Sequence, residues 1–173
     1  MGAVIRRAHP VDATVVALLG RITFAETFGH LFVHHAGDLR AYLDATFDVA
    51  KIERSLGKPP NQYWLAFQRG LPIGYAKLKH PVAPPHAPQQ DAAQLQKIYV
   101  LREFLAQGIG HELLAPAMHA ASASTALRWL DVLRENDRAV GFYARHGFIP
   151  VGEDTYAIGT QRFLFHIMER HLP

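Results

Sequence analysis

Residues 100–114 read "VLREFLAQGIGHELL", with two glycines one residue apart between an apolar run and a helix-like pattern. The preceding "LQKIYV" (95–100) is β-branched and aromatic enough for a strand, while Ile109, Leu113 and Leu114 recur at the spacing of a buried helix face. The glycines therefore punctuate a strand-to-helix junction. The first amides of a helix have no internal partner, and the aligned peptide dipoles place partial positive charge there, so the junction suits an anion. Two phosphate loops are ruled against by the residues themselves. A dinucleotide fingerprint needs a third glycine where Leu113 stands, and a nucleotide P-loop needs Gly-Lys-Ser/Thr, whereas Gly57-Lys58 is followed by Pro59. What remains is either an ordinary tight turn or a pyrophosphate cradle built from the backbone amides of Gln107, Gly108, Ile109, Gly110, His111 and Glu112.

The whole chain bounds the reading. At 173 residues, 49% of them hydrophobic, residues 1–173 suffice for one α/β or α+β domain with a real core. The formal charge is +3, but Lys and Arg are dispersed, with Arg6-Arg7 the longest run, so no nucleic-acid stripe is expected. Zero cysteines exclude disulfides, thiolate zinc sites and a cysteine nucleophile, and suit a cytoplasmic setting. "MGAVIRRAHP" lacks a long apolar core, and no stretch is expected to reach the roughly 20 apolar residues of a membrane helix, so no membrane partner is expected. His30, His34 and His35 raise a metal reading, but no His-Glu-x-x-His occurs and "HELLA" lacks its second histidine, so no metal site is assigned.

Working outward from the junction, "AVIRRA" (3–8) alternates like a strand, and a helical pattern opens at Pro10 and Asp12 and can stop at Gly29. Further helical pieces begin at Asp38 and Asp48, both good N-caps. "QYWLAFQ" (62–68) and "IGYAKLKH" (73–80) flank Arg69-Gly70 as a hairpin, and "PVAPPHAPQQDAA" (81–93) reads as a mobile, proline-rich loop. After the junction come a helix to about Ala123, a strand at 126–133, a helix at 136–146, and strands "FIPVGEDTYAI" and "QRFLFHIM". This succession implies a mixed sheet with helices on both faces.

A second motif lies downstream. "ENDRAVGFYARHGF" (135–148) puts Asn136, Ala139 and Tyr143 on one helix stripe, and Gly147 ends that helix before Phe148 starts a strand. A strand, a Gly-x-Gly helix, a strand and then Asn-x-x-Ala-x-x-Phe-Tyr-x-x-x-Gly-Phe together resemble the GCN5-related N-acetyltransferases over nearly the full chain. In that family's Arg/Gln-x-x-Gly-x-Gly/Ala signature, Gly108 and Gly110 match and Leu105 stands in the first place, which removes one side-chain contact and leaves the backbone cradle. Within the family, "RITFAETFGHL", "DLRAYLDATF", "PIGYAKLK" and "LQKIYVLREFLAQGIGHELL" look like the bacterial spermidine/spermine-type enzymes. "LRWLDVLREN" looks instead like the acetyltransferases of protein N-termini, which carry an acid at the place of Asp131.

The resemblance implies a mixed, mostly antiparallel central sheet with helices on both faces, acetyl-coenzyme A as cofactor, a small-molecule amine substrate and pairing as a homodimer. It also implies direct attack of the amine on the thioester, with Tyr143 giving a proton to the departing sulfur. A phenol of ordinary pKa ~10 stays protonated at neutral pH and can do this. The amine arrives as an ammonium, so a base is needed. Asp131, sharing a strand face with apolar Leu127, Trp129 and Leu133, is one candidate. Glu26 is a second candidate, for base or for cation binding, as Asp44 and Asp48 are for cation binding. Ile98, Tyr99 and Val100 would line the pantetheine arm, with backbone groups pairing as another strand would. Asn136 would bond the same arm or simply cap its helix. A non-catalytic coenzyme-A sensor and a DNA-binding regulator are the rivals from other classes.

Overall fold

In the computed structural model, which describes residues 2–171, the strand leading into the glycine junction lies at the centre of a seven-stranded sheet. The chain order is β1 (Val4–Arg7), α1 (Ala13–Phe28), α2 (Ala36–Thr46), α3 (Val49–Leu56), β2 (Asn61–Gln68), β3 (Leu71–Lys79) and β4 (Ala92–Val100), followed by α4 (Ile109–Ser122), β5 (Leu127–Leu133), α5 (Asp137–Arg145), β6 (Ile149–Ile158) and β7 (Gln161–His171). In space the strands run β1-β2-β3-β4-β5-β7-β6. Every pairing is antiparallel except β4 with β5, the pair joined by a helical crossover, as parallel strands require. The Arg69-Gly70 turn has φ of 51° and 77°, the doubly positive torsions that match a hairpin's twist.

Period-two alternation sends side chains to opposite faces of the sheet. Trp64, Ala66, Ala76, Leu78, Ala93 and Leu95 pack with Leu113, Leu114 and Ala117 of α4, and α5 covers the same face. Tyr63, Leu65 and Tyr75 pack on the other face against Val16, Ala17 and Leu19 of α1 and Ile52 of α3. An aromatic cluster of Phe24, Phe32, Phe47, Tyr42 and Phe163 joins α1, α2 and the β6–β7 hairpin on that second face.

The feature that positions the site is an interruption of the sheet. Pairing of β4 with β5 runs only from Ala92 opposite Leu127 to Gln94 opposite Trp129. Beyond Gln94, β4 continues to Val100 along β3 alone, while β5 continues to Leu133 along β7. Next to the parting the β3–β4 register skips Gln96, with Lys77 facing Lys97 but Leu78 facing Leu95. This bulge bends the strand and resets which side chains face which way.

Three expectations are corrected. Asp38 does not cap a helix: α2 starts at Ala36 after His35, and the Asp38 carboxylate accepts from the Thr160 amide at 2.9 Å and hydroxyl at 2.7 Å. A long-range partner outcompetes the local capping bond. The loop at 81–93 is anchored despite its prolines, with Val82 N–H on the Ala92 carbonyl at 2.8 Å, the Trp129 indole on the Val82 carbonyl at 2.7 Å, and His86 against Glu169 at 3.0 Å. Finally, the helical stretch Pro10–Phe32 is long and apolar enough to cross a membrane by length and composition. Val16, Ala17, Leu19, Phe24 and Phe32 of this stretch are buried against the sheet and its neighbouring helices, whereas Val11, Leu18 and Ile22 are exposed. By contrast Asp48 caps α3 as expected, accepting from Lys51 N–H at 2.8 Å.

Candidate active site at the parted strands

The glycine junction forms as an anion cradle requires. Gly108 occupies the N-cap of α4 at φ +84°, where an L side chain is strained, and no side chain caps the helix. Glu112 N–H already bonds the Gly108 carbonyl at 3.1 Å, so the amides of Ile109, Gly110 and His111 are the ones left for a ligand. Gly110 faces the Phe142 ring, where a Cβ would lie 3.4 Å away, at ordinary contact distance. Gln107 and Glu112 are not among the residues lining the groove that starts here: the Gln107 side-chain amide donates to the Glu103 carbonyl at 3.1 Å, and the Glu112 carboxylate accepts from Ala3 N–H at 3.0 Å, which ties the start of the chain to α4.

From this helix end a groove of about 840 Å³ runs along β4 to α5. Of the predicted cofactor residues, Ile98, Tyr99, Val100, Gly108, Ile109, Gly110, His111, Asn136 and Tyr143 line it. The β4 edge, having lost β5, offers its main chain to a ligand that pairs as a strand does. Asn136 accepts from Ala139 N–H at 3.2 Å, so it caps α5 while also lining the groove. The groove therefore fits coenzyme A in three respects: free amides for a diphosphate, a bare strand edge for the amide-bearing arm, and an apolar wall of Ile98, Val100, Phe104 and Phe142. Three cations, Arg102, Arg138 and Arg145, line the same groove and complement phosphate charge.

Tyr143 lies on the α4/α5 side of the sheet, its ring 5.2 Å from Phe142 and 5.9 Å from Phe148. Burial pushes its phenol well above the usual value, and the charge of Asp131 pushes it further. The hydroxyl thus stays a proton donor. His111 and His146 meet at the groove wall, Nδ1 to Nε2 at 2.9 Å, and His146 Nδ1 lies 2.8 Å from the Phe142 carbonyl. A carbonyl only accepts, so His146 carries a proton on Nδ1, and in its neutral form its bare Nε2 accepts from His111 Nδ1.

Asp131 occupies the opposite face, outside the groove. Its Oδ1 accepts from the Gln94 amide at 3.2 Å, and Gln94 in turn accepts from the Gln96 amide at 2.8 Å. The charge of Asp131 is felt by the phenols of Tyr42, Tyr99, Tyr143 and Tyr156, all held above their usual value chiefly by burial. Aromatic rings and one carboxylate thus gather on the face across the parting, a grouping we call the second compartment. Lys97 reaches into it too, with Nζ 5.4 Å from the Phe47 ring centre and 5.8 Å from that of Tyr99. Glu26 stands at the groove, but its carboxylate accepts from the Arg102 amide at 2.9 Å, and the Arg102 guanidinium returns a bond to the Glu26 carbonyl at 2.8 Å. Asp44 pairs with Arg21 at 2.7 Å, on the surface.

Sequence reasoning missed Lys97, Gln94, Arg102, Phe104, Phe142 and His146. Arg138 and Arg145 were legible in principle, being seven apart and therefore on one stripe of α5. Lys97 and Gln94 carried no signal, because the bulge that orients them comes from strand pairing.

Comparison with known proteins agrees with this geometry. Residues 25–148 match the profile of the acetyltransferase (GNAT) family. The chain is 24% identical over 172 residues to an uncharacterized N-acetyltransferase of Lactobacillus delbrueckii subsp. lactis, covering 99% of this chain and 98% of that one. It is 29% identical over 135 residues to another from Mycobacterium bovis, covering 78% and 82%. Among solved structures, the PaiA N-acetyltransferase of Thermoplasma acidophilum in complex with coenzyme A superposes with a TM-score of 0.78 at 21% identity, over 99% of this chain and 100% of that one. With the family matched across both glycine-junction and tyrosine motifs, the chain belongs to the GNAT acetyltransferases, enzymes that take their acetyl group from acetyl-coenzyme A.

Proposed function

We propose that this enzyme acetylates the primary amine of a small polyamine-like molecule, with Asp131 receiving the ammonium and Tyr143 protonating the departing sulfur. The observation that carries the reading is the disposition of these two groups. They stand on opposite faces of the sheet at the one place where β4 and β5 part, close enough that the charge of Asp131 raises the Tyr143 phenol. Coenzyme A, when bound, supplies an acetyl thioester whose leaving group is a thiol of pKa near ~8.5. Ile109, Gly110 and His111 hold its diphosphate through their amides, and the bare edge of β4 at Ile98 and Val100 holds its arm. An alkyl ammonium entering from the other face meets the Asp131 carboxylate among Tyr42, Tyr99 and Tyr156, rings that attract cations through their faces. Asp131, steadied by Gln94, takes up or relays the proton that must leave before nitrogen can attack. Glu26, committed to Arg102, acts as a positioning residue for the loop that follows β4.

A protein N-terminus as acceptor is the second reading, and the tie of Asp38 to Thr160 weighs against it by closing α2 onto the β6–β7 turn beside the amine compartment. Pairing as a homodimer is supported by β6, an edge strand carrying exposed Ile149 and Val151. The cysteine-free sequence supports a cytoplasmic setting. The test is thiol release from acetyl-coenzyme A over an amine panel. Spermidine should turn over and peptides should not, and Asp131→Asn should lower kcat/KM for spermidine about 10²–10³-fold. Tight coenzyme binding with no turnover of any amine would overturn catalysis in favour of a sensor.

A further inference from the structure

Lys97 is unlike the other lysines. The chain has five, at positions 51, 58, 77, 79 and 97. Lys51 and Lys58 are exposed, whereas Lys97 is half-buried on β4, immediately before Ile98 of the cofactor groove. Because Ile98 packs toward α4, its neighbours Lys97 and Tyr99 project into the compartment that holds Asp131. Among the described residues Lys97 makes neither an ion pair within 4 Å nor a side-chain hydrogen bond; the rings of Phe47 and Tyr99 flank its nitrogen. It is a primary alkyl amine, the same chemistry proposed for the acceptor, uncommitted and on the acceptor side of the parted strands.

We propose that Lys97 is an internal acetyl acceptor, so that the enzyme acetylates itself when no amine occupies the compartment. The inference rests on the catalytic reading above. In this step the neutral Nζ forms a bond to the acetyl carbon and the carbon–sulfur bond breaks. The sulfur takes a proton from Tyr143, the proton lost by nitrogen passes to Asp131 and from there to solvent, and solvent returns one proton to the Tyr143 phenolate. An amide replaces the amine, and free coenzyme A leaves. A neutral amine is available because burial lowers the Lys97 pKa to about 8, with the charge of Asp131 opposing the shift. Lys77, directly across the strand pair, is lowered to about 8 by burial and by nearby lysines without any contribution from Asp131, and its nitrogen sits 5.3 Å over Tyr63 instead. Lys77 is thus an internal control that shares the lowered basicity and lacks the position.

The experiment is incubation of the purified full chain with acetyl-coenzyme A and no amine, followed by intact-mass measurement and peptide mapping. The expected result is one added acetyl group on Lys97 and none on Lys77, absent in Lys97→Arg and about 100-fold slower in Tyr143→Phe. Coenzyme affinity measured by calorimetry verifies that both variants are folded. Equal labelling of Lys77 and Lys97, labelling confined to exposed Lys51 and Lys58, or an unchanged Lys97 rate in Tyr143→Phe would each overturn the proposal. Turnover of spermidine with Lys97 unlabelled overturns self-transfer alone. Absence of both label and turnover, with coenzyme bound, overturns the catalytic reading as well.

Discussion

Tyr143 illustrates how burial suits a single residue to the role proposed for it. Raised well above the phenol norm by desolvation and by Asp131, its hydroxyl remains protonated as pH rises and can keep donating where an exposed tyrosine would ionise. Replacing Tyr143 by Phe should lower kcat about 10²–10⁴-fold and leave the coenzyme Kd unchanged, which calorimetry beside steady-state assays will check. Lys97 shows the opposite shift, with a testable sign. Its folded pKa, lowered to about 8 by burial, lies below the ordinary 10.5, so the fold disfavours the charged amine. That cost is fully present below pH 8 and fades as pH climbs to 10.5, where the unfolded chain also loses its proton. Lys97→Met should therefore raise Tm at pH 7, by about 2–4 °C for each kcal/mol relieved, and lose that advantage near pH 10.5. At Gly108 the constraint is torsional. With φ at +84°, Gly108→Ala should cost about 1–2 kcal/mol and weaken coenzyme binding together with thermal stability.

Between elements, two long-range ties shape the compartments. Glu26 of α1 holds the Arg102 amide 76 residues away and thereby sets the path of the segment between β4 and α4. If this is positioning, Glu26→Ala should raise the coenzyme Kd several-fold with a smaller change in kcat; a collapse of kcat at unchanged Kd would instead make Glu26 the base. Asp38 fastens α2 to the β6–β7 turn, where Gly159 at φ +59° lies so close to Asp38 that a Cβ would clash with its carboxylate. Asp38→Ala should raise KM for the amine and leave coenzyme affinity alone, because the tie borders only the acceptor side.

Across the whole molecule, one contribution to acid stability comes from the ion pair that fastens β1 to the turn before α1. Both Asp12 oxygens receive the Arg6 guanidinium, at 2.7 and 2.9 Å, and His9 N–H adds a third bond at 2.9 Å. The Arg6 hydrogen bond leads in lowering the Asp12 pKa from 3.8 to about 2, so its stabilisation is whole above 3.8 and is lost as pH falls through 2. Asp12→Asn should cost about 1 kcal/mol near neutral pH, discounted because Arg6 is half exposed, and only a small part of that at pH 2, where Asp12 is half protonated in the fold. Urea midpoints at the two pH values measure the difference.

Local chemistry determined the parts of this protein that neighbours in sequence can encode. The Gly108/Gly110 junction, the Asp48 and Asn136 caps, the Arg69-Gly70 hairpin and the Tyr143 stripe all follow from torsions and periodicities spanning a few residues, and all were legible. Asp38 misled because a capping residue and a long-range acceptor look alike until Thr160, 122 residues on, is brought beside it. Only the tertiary structure decided where β4 and β5 separate, that Asp131 and Tyr143 lie across that gap, and that Lys97 shares the compartment of Asp131. Strand order, bulge placement and the split in a sheet arise from pairing between distant segments, and no single segment carries them.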